Sequence, residues 1–386
     1  MLKIAIYSGV VPSTTFIERL IDGVSKKDIR VYLFGLKEKG KNYSENIIVS
    51  TYSGKINKLF RLIYFSLLLS LFRNKDKKKL DKFIKKSGGN QTLKKIKFYP
   101  VLWYQPNIFH IQWAKSIEDW VWVKEFGIKL VVSFRGAQIN YHPIAYPEVG
   151  ELYLKYFPLV DGFHAVSDAI GREAQKYGAD PAKIKTVYSG FPLDKVPDTP
   201  IKKTNNFQIL SIGRSHWMKG YNYALDCMKI LSEKGLDFHY TIIGAKGVEE
   251  LEYQVHDLNL QQSVTLIDRV PFQKVLEMIL ESDLILLPSV EEGIANVVLE
   301  GMMLKKIVLT TNCGGMEEIV KDGYNGFVVN MRTPMEMAEK ILDIRNINPD
   351  RLHTISENAR KTIEEFNSEQ RMVSDMVDLY HKVLNS

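Results

Sequence analysis

Short apolar, β-branched runs alternate with longer helical patterns from one end of this chain to the other, and no other feature restricts the fold as tightly. A run such as Leu284-Ile285-Leu286-Leu287 is apolar at every position rather than every second one. It must therefore be buried on both faces, as in a parallel sheet with helices above and below. In the first half, strands are expected near Lys3 to Ser8, Arg30 to Gly35, Ile108 to Gln112, Lys129 to Phe134, Gly162 to Val166 and Ile184 to Tyr188. The stretch from Gly190 to Pro200 then interrupts the alternation with three prolines and reads as a linker. A second series begins at Phe207 to Gly213 and continues at Tyr240 to Gly244, Val264 to Ile267, Leu284 to Pro288, Ile307 to Leu309 and Gly326 to Val329.

A chain of 386 residues exceeds the size at which one core keeps growing, so two α/β domains are expected. Each is a doubly wound, Rossmann-like sheet, and the two face each other across a cleft. Residues 1–195 are expected as the first domain and residues 201–367 as the second, with a helix over about 368–386 packing back on the first. Two cysteines, Cys227 and Cys313, are too few and too distant for a disulfide framework or a structural zinc site. The start Met1-Leu2-Lys3-Ile4-Ala5-Ile6-Tyr7 reads as a strand, not a secretion leader, so a cytoplasmic location is expected.

The formal charge of +7 is concentrated, because residues 73–97 carry Lys or Arg at eleven positions against the acids Asp76 and Asp81. An apolar run from Leu59 to Phe72 precedes this cluster and is too short to span a bilayer. Residues 59–86 thus fit either an interfacial helix on an anionic membrane, peripheral on the inner face of the cell membrane, or a core helix with a solvated one after it. The lysine cluster lacks interleaved aromatics, which argues against nucleic acid as a partner.

Two segments carry chemistry. The expected strand before Gly213 runs into Arg214-Ser215-His216-Trp217-Met218-Lys219-Gly220, placing two cations at the carboxyl end of a strand. Ligands bind there in open α/β sheets, and an Arg fork with a Lys point charge suits a diphosphate. In the second segment, the strand ending at Leu287 turns through Glu291-Glu292-Gly293-Ile294-Ala295 into a helix that begins at Asn296-Val297. Asn296 is expected as its N-cap, leaving the amides of Val297 and Val298 open to an anion. Glu300 lies four residues on, on the same face, where its carboxylate suits a vicinal diol, and Glu292 suits a sugar hydroxyl. Helix-capping and surface acids would explain the two glutamates without a ligand.

Together, Gly213-Arg214 through Lys219-Gly220 and Glu292-Gly293 through Glu300 resemble the retaining GT-B glycosyltransferases of family 4, also called group 1. Val166-Ser167, Asp283 before the strand, Gly314-Gly315-Met316-Glu317-Glu318 and Asp322-Gly323-Tyr324-Asn325-Gly326 extend the likeness over most of the second half. The resemblance implies that Arg214 and Lys219 hold the donor diphosphate, Glu292 approaches the donor sugar and Glu300 holds the ribose. It places Arg269 and Val270 at the nucleotide base, and Gly293 through Val297 in the phosphate-facing turn. In the first half it is weaker. The paired-glycine loop of other members is reduced to Gly9, and Phe134-Arg135-Gly136 stands where many have His-Gly, which gives Arg135 a place in the site. An Arg cannot serve as a base at neutral pH, so its expected part is binding or stabilising negative charge.

These residues and the resemblance together predict a metal-independent hexosyltransferase without a cofactor, taking a UDP- or GDP-sugar as donor and a saccharide or lipid-linked acceptor, in cell-surface polysaccharide or glycolipid synthesis. A sugar-nucleotide epimerase and a non-catalytic, membrane-associated sugar-nucleotide-binding protein fit the same donor residues. A dinucleotide-dependent oxidoreductase does not, because Tyr7-Ser8-Gly9-Val10-Val11-Pro12 lacks the required glycine spacing.

Overall fold

Each expected strand is present, and the reason is visible in the first of them. In β1 (Leu2–Val11), Ala5 and Tyr7 point into one cluster of buried side chains while Ile4 and Ile6 point into another, so the strand is sealed on both faces. The structure is a computed structural model that describes residues 1–38, 40–191 and 206–386. The described residues form two compact units, one of residues 1–166, 170–190 and 369–386, the other of 167–169 and 191–368. The boundary expected between residues 195 and 201, and the linker beyond Phe191, lie outside the described residues.

The first unit holds a parallel sheet in the order β3-β2-β1-β4-β5-β6-β7. Its members after β1 are β2 (Ile29–Lys37), β3 (Ile47–Tyr52), β4 (Ile108–Ile111), β5 (Lys129–Phe134), β6 (Gly162–Ala165) and β7 (Ile184–Thr186). Strand β3 is not among the expected ones. It is an edge strand only half buried, and its mixed sequence Ile47-Ile48-Val49-Ser50-Thr51-Tyr52 lacks the fully apolar look of its neighbours. Three helices connect it to β4, namely α2 (Lys55–Phe72), α3 (Asn74–Lys86) and α4 (Gln91–Tyr104). On the other face lie α1 (Thr15–Ser25) and the C-terminal helix Glu369–Asn385, whose Met372, Val373, Met376, Leu379, Tyr380 and Val383 repeat at helical spacing and are buried.

The second unit holds a parallel sheet in the order β10-β9-β8-β11-β12-β13. These are β8 (Phe207–Ile212), β9 (Phe238–Ile243), β10 (Val264–Ile267), β11 (Leu284–Leu287), β12 (Ile307–Thr311) and β13 (Phe327–Val329). The chain leaves β8 for β9 on one side and later enters β11 on the other, so β8 and β11 bound the point where winding reverses. Crevices form at such points, outside the carboxyl ends of the strands. In the first unit the equivalent pair is β1 and β4.

Candidate functional site

Both segments singled out by sequence flank the reversal point of the second sheet. The loop after β8 carries Gly213, Arg214 and Lys219, and the loop after β11 carries Glu292 through Ala295. A buried polar chain holds the two strands in place: Tyr240 donates to Ser211 Oγ at 2.8 Å, and Ser211 donates to the Leu286 carbonyl at 2.6 Å. Above it the loops are clamped backbone to backbone. Val290 N–H donates to Met218 O at 2.7 Å. Gly220, at φ +62°, lies so close to Pro288 O that a side chain there would collide with it. That site needs glycine for both conformation and space.

The clamp ends in an ion pair, with Lys219 Nζ 2.5 Å from Glu292 Oε1, which also accepts from Ser289 Oγ at 3.0 Å. Arg214 is exposed and makes no hydrogen bond or ion pair among the described residues. Desolvation, and then the charges of Arg214 and Lys219, push the His216 imidazole below its usual value. Tyr221 donates to Gly213 O at 3.2 Å and keeps its proton, because burial and then Glu292 raise it.

The helix Asn296–Met303 corrects one expectation. Its N-cap is Ala295, with no side-chain cap, and Asn296 is the first helical residue. The amide of Val298 is already bonded to Ala295 O at 3.1 Å, so it does not face a ligand. Ala295 N–H itself meets Met316 Sδ at 3.4 Å. The amides of Gly293, Ile294, Asn296 and Val297 make no hydrogen bond among the described residues, and four open donors at a helix start form an anion cradle. Gly314, at φ +54°, backs directly onto the Glu292 carbonyl, and Gly315 N–H donates to Gly293 O at 2.9 Å. These contacts give the Gly314-Gly315 pair its place behind the cradle.

Glu300 is buried on this same helix, where seven of the eight residues are buried. Arg269 is exposed and Val270 half-buried just past β10. That strand is two places from β8, about 10 Å across the sheet. Trp217, 56% exposed between the two cations, is not marked by the sequence, where an aromatic in a loop carries no spacing signal. Ser289 escapes sequence reasoning for the same reason.

In the first unit, Gly9 sits at a register shift in β1 with φ +89°, and nothing approaches its missing side chain. Arg135 comes directly after β5. Its Nη2 donates to Gln112 Oε1 at 2.7 Å and its Nε to Gln112 O at 3.3 Å, and its guanidinium lies 4.4 Å from the centre of the Phe16 ring. Among the described residues Arg135 forms no ion pair with an acid. Burial lowers its guanidinium to about 9, so it stays a cation at neutral pH. Gln112 Nε2 is buried without a hydrogen-bond partner, an open donor beside that cation that the sequence did not disclose.

Below Arg135 runs a buried chain. His164 Nε2 meets the Val187 carbonyl at 3.1 Å and must donate to it. Its Nδ1 therefore accepts from Ser133 Oγ at 2.8 Å, and Ser133 accepts from His110 Nε2 at 2.8 Å. His110 Nδ1 then accepts from Tyr380 of the C-terminal helix at 2.8 Å. Burial holds both imidazoles neutral, His164 down to about 3, with the Arg135 charge adding to the effect.

Residues 194–362 match the family described as Glycosyl transferases group 1. An uncharacterized glycosyltransferase of Methanocaldococcus jannaschii is 32% identical over 162 residues, 42% of this chain and 44% of that protein. A putative colanic acid biosynthesis glycosyltransferase, WcaL of Escherichia coli, is 26% identical over 259 residues, 64% of each. The chain thus spans between 44 and 64% of the length of these two curated relatives. Among solved structures, Anabaena HepE in complex with UDP and glucose superposes with a TM-score of 0.72 at 17% identity, covering 99% of this chain and 100% of that one. Sucrose-phosphate synthase from Thermosynechococcus elongatus gives 0.76 at 13% identity, with complete coverage of both. The fold is GT-B.

Proposed function

We propose that this chain, whose residues 194–362 carry the group 1 glycosyltransferase match, moves a sugar with retention of configuration from a UDP- or GDP-sugar to a saccharide or lipid-linked acceptor. The polysaccharide setting follows the relatives' names, which include colanic acid and capsular polysaccharide biosynthesis. The product is then a cell-surface polysaccharide or glycolipid, made at the cytoplasmic face of the membrane.

The observation that carries the reading is the placement of Arg214, Lys219 and four open amides on the two loops that follow β8 and β11, at the reversal point of the second sheet. As the bond from the anomeric carbon to the diphosphate oxygen breaks, the sugar becomes oxocarbenium-like and the diphosphate gains negative charge. Two cations and preorganised amides stabilise that charge, and they supply what a divalent metal would otherwise supply. The acceptor hydroxyl bonds to the anomeric carbon on the same face, and its proton passes to the departing diphosphate oxygen. No protein base is required. Glu300 takes the ribose diol and Glu292 a donor-sugar hydroxyl, with Arg269 and Val270 beside the base. Arg135 and Gln112 bind an acceptor or sugar oxygen.

Calorimetric titration of UDP- and GDP-sugars tests donor binding, and activity without added metal tests metal independence. The Arg214→Ala, Lys219→Ala double variant is expected to lose donor turnover, and full activity in it would overturn the assignment.

A further inference from the structure

We propose that α2 and α3 of the first unit form a seat for an anionic lipid bilayer, with α2 lying in the interface and α3 presenting lysines to the headgroups. The inference rests on the reading that transfer takes place at a membrane face.

Helix α2 is held from one side only. Phe65 and Leu69 are buried, and the one charge between Phe60 and Phe72, Arg61, is turned inward. Its guanidinium donates to Ser50 O at 2.9 Å, Thr51 O at 3.1 Å and Ile96 O at 3.3 Å. The outward face consists of Ile56, Phe60, Ile63, Tyr64, Leu67 and Leu71, between 48 and 75% exposed. At 3.6 residues per turn these six share an arc of about 100° and run for about 22 Å. An isolated exposed leucine needs no explanation, but a continuous stripe of this kind marks an interaction surface. No helix among the described residues is long and apolar enough to cross a membrane, so α2 would lie in the interfacial plane.

What settles the choice of occupant is α3, which starts two residues after α2 ends. It has seven lysines and two aspartates, a net +5 (7 − 2). Both acids are engaged, Asp76 with Arg73 at 3.2 Å and Asp81 with Lys77 at 3.0 Å, and Lys79 pairs with Glu125 at 3.2 Å. The other five, Lys75, Lys78, Lys82, Lys85 and Lys86, are exposed or half-buried and form no hydrogen bond or ion pair among the described residues. They also share an arc of about 100°, opposite the buried Leu80 and Ile84. A second copy of the chain docking through α2 would bring two such cationic helices together. An anionic bilayer satisfies both faces, since hydrocarbon receives the stripe and headgroup phosphates receive the lysines.

Flotation of the full chain with vesicles tests this. Binding is expected to mixed phosphatidylcholine–phosphatidylglycerol vesicles, weakly if at all to phosphatidylcholine alone, and to fall with added salt. A lysine near such a surface contributes about fivefold to partitioning, so Lys78→Glu, Lys82→Glu and Lys85→Glu together should reduce it about 100-fold or more. Leu67→Ser with Leu71→Ser should also release the chain, and because none of the five positions is buried, neither set should lower the melting temperature. Failure to float with anionic vesicles while donor binding persists overturns the membrane seat alone. Absence of donor binding in a chain that floats overturns the transferase reading instead. A concentration-dependent dimer abolished by Leu67→Ser and Leu71→Ser would assign the stripe to a second copy and overturn the proposal.

Discussion

Replacing Ser133 with Ala removes a single oxygen from the middle of the buried chain that runs from Tyr380 to Val187. His110 Nε2–H then loses its acceptor and His164 Nδ1 loses its donor, in rings that are 0% and 4% exposed. A buried polar group left unsatisfied costs about 1–3 kcal/mol, so two cost about 4 kcal/mol, while the void left by one oxygen adds little. Tyr380→Phe is the graded control, since it leaves only His110 Nδ1 unmet and should cost about 2 kcal/mol. Urea unfolding at neutral pH, monitored by tryptophan fluorescence, is the assay. Four of the five tryptophans, Trp103, Trp113, Trp120 and Trp122, lie in the first unit, so the signal reports chiefly on the unit containing the chain. A loss below about 1 kcal/mol for Ser133→Ala, or a larger loss for Tyr380→Phe, would refute the directed network.

The same histidines set a pH dependence. Their folded-state values are depressed, so below about 6.5 the unfolded chain takes up protons that the folded chain refuses. Stability should be level above pH 7 and fall as pH drops, by about 2 kcal/mol per histidine at pH 5. A flat stability between pH 7 and 5 would contradict this, and His164→Asn should remove that residue's share of the slope. Glu292→Gln releases Lys219 from its ion pair, so donor affinity measured by calorimetry should hold or tighten while kcat falls about 100-fold. Equal loss of kcat and affinity would reduce Glu292 to a scaffold for Lys219. Glu300→Ala should weaken nucleotide binding about 100-fold through two lost charge-assisted hydrogen bonds. An unchanged calorimetric affinity with a lowered melting temperature would make Glu300 a packing residue.

Parallel sheets were legible because strands buried on both faces are apolar throughout, and β11 with its four leucine and isoleucine residues shows that best. The cations of the second unit were legible too, since a strand, a short loop and a helix start are all local, and locality is what sequence encodes. Strand β3 was not, because a half-buried edge tolerates Ser50 and Thr51, and such a mixture also fits a loop. Neither was the contact of Ala295 N–H with Met316 Sδ, 21 residues away. Gln112 and Arg135 lie 23 residues apart, and only the pairing of β4 with β5 sets them side by side. The buried chain needs Tyr380 beside His110, 270 positions distant. For the run from Leu59 to Phe72 the sequence left two answers, buried or interfacial. Local pattern establishes that a helix has an apolar face, but whether anything in the fold covers that face depends on distant elements, and here Ile56 through Leu71 keep one side exposed.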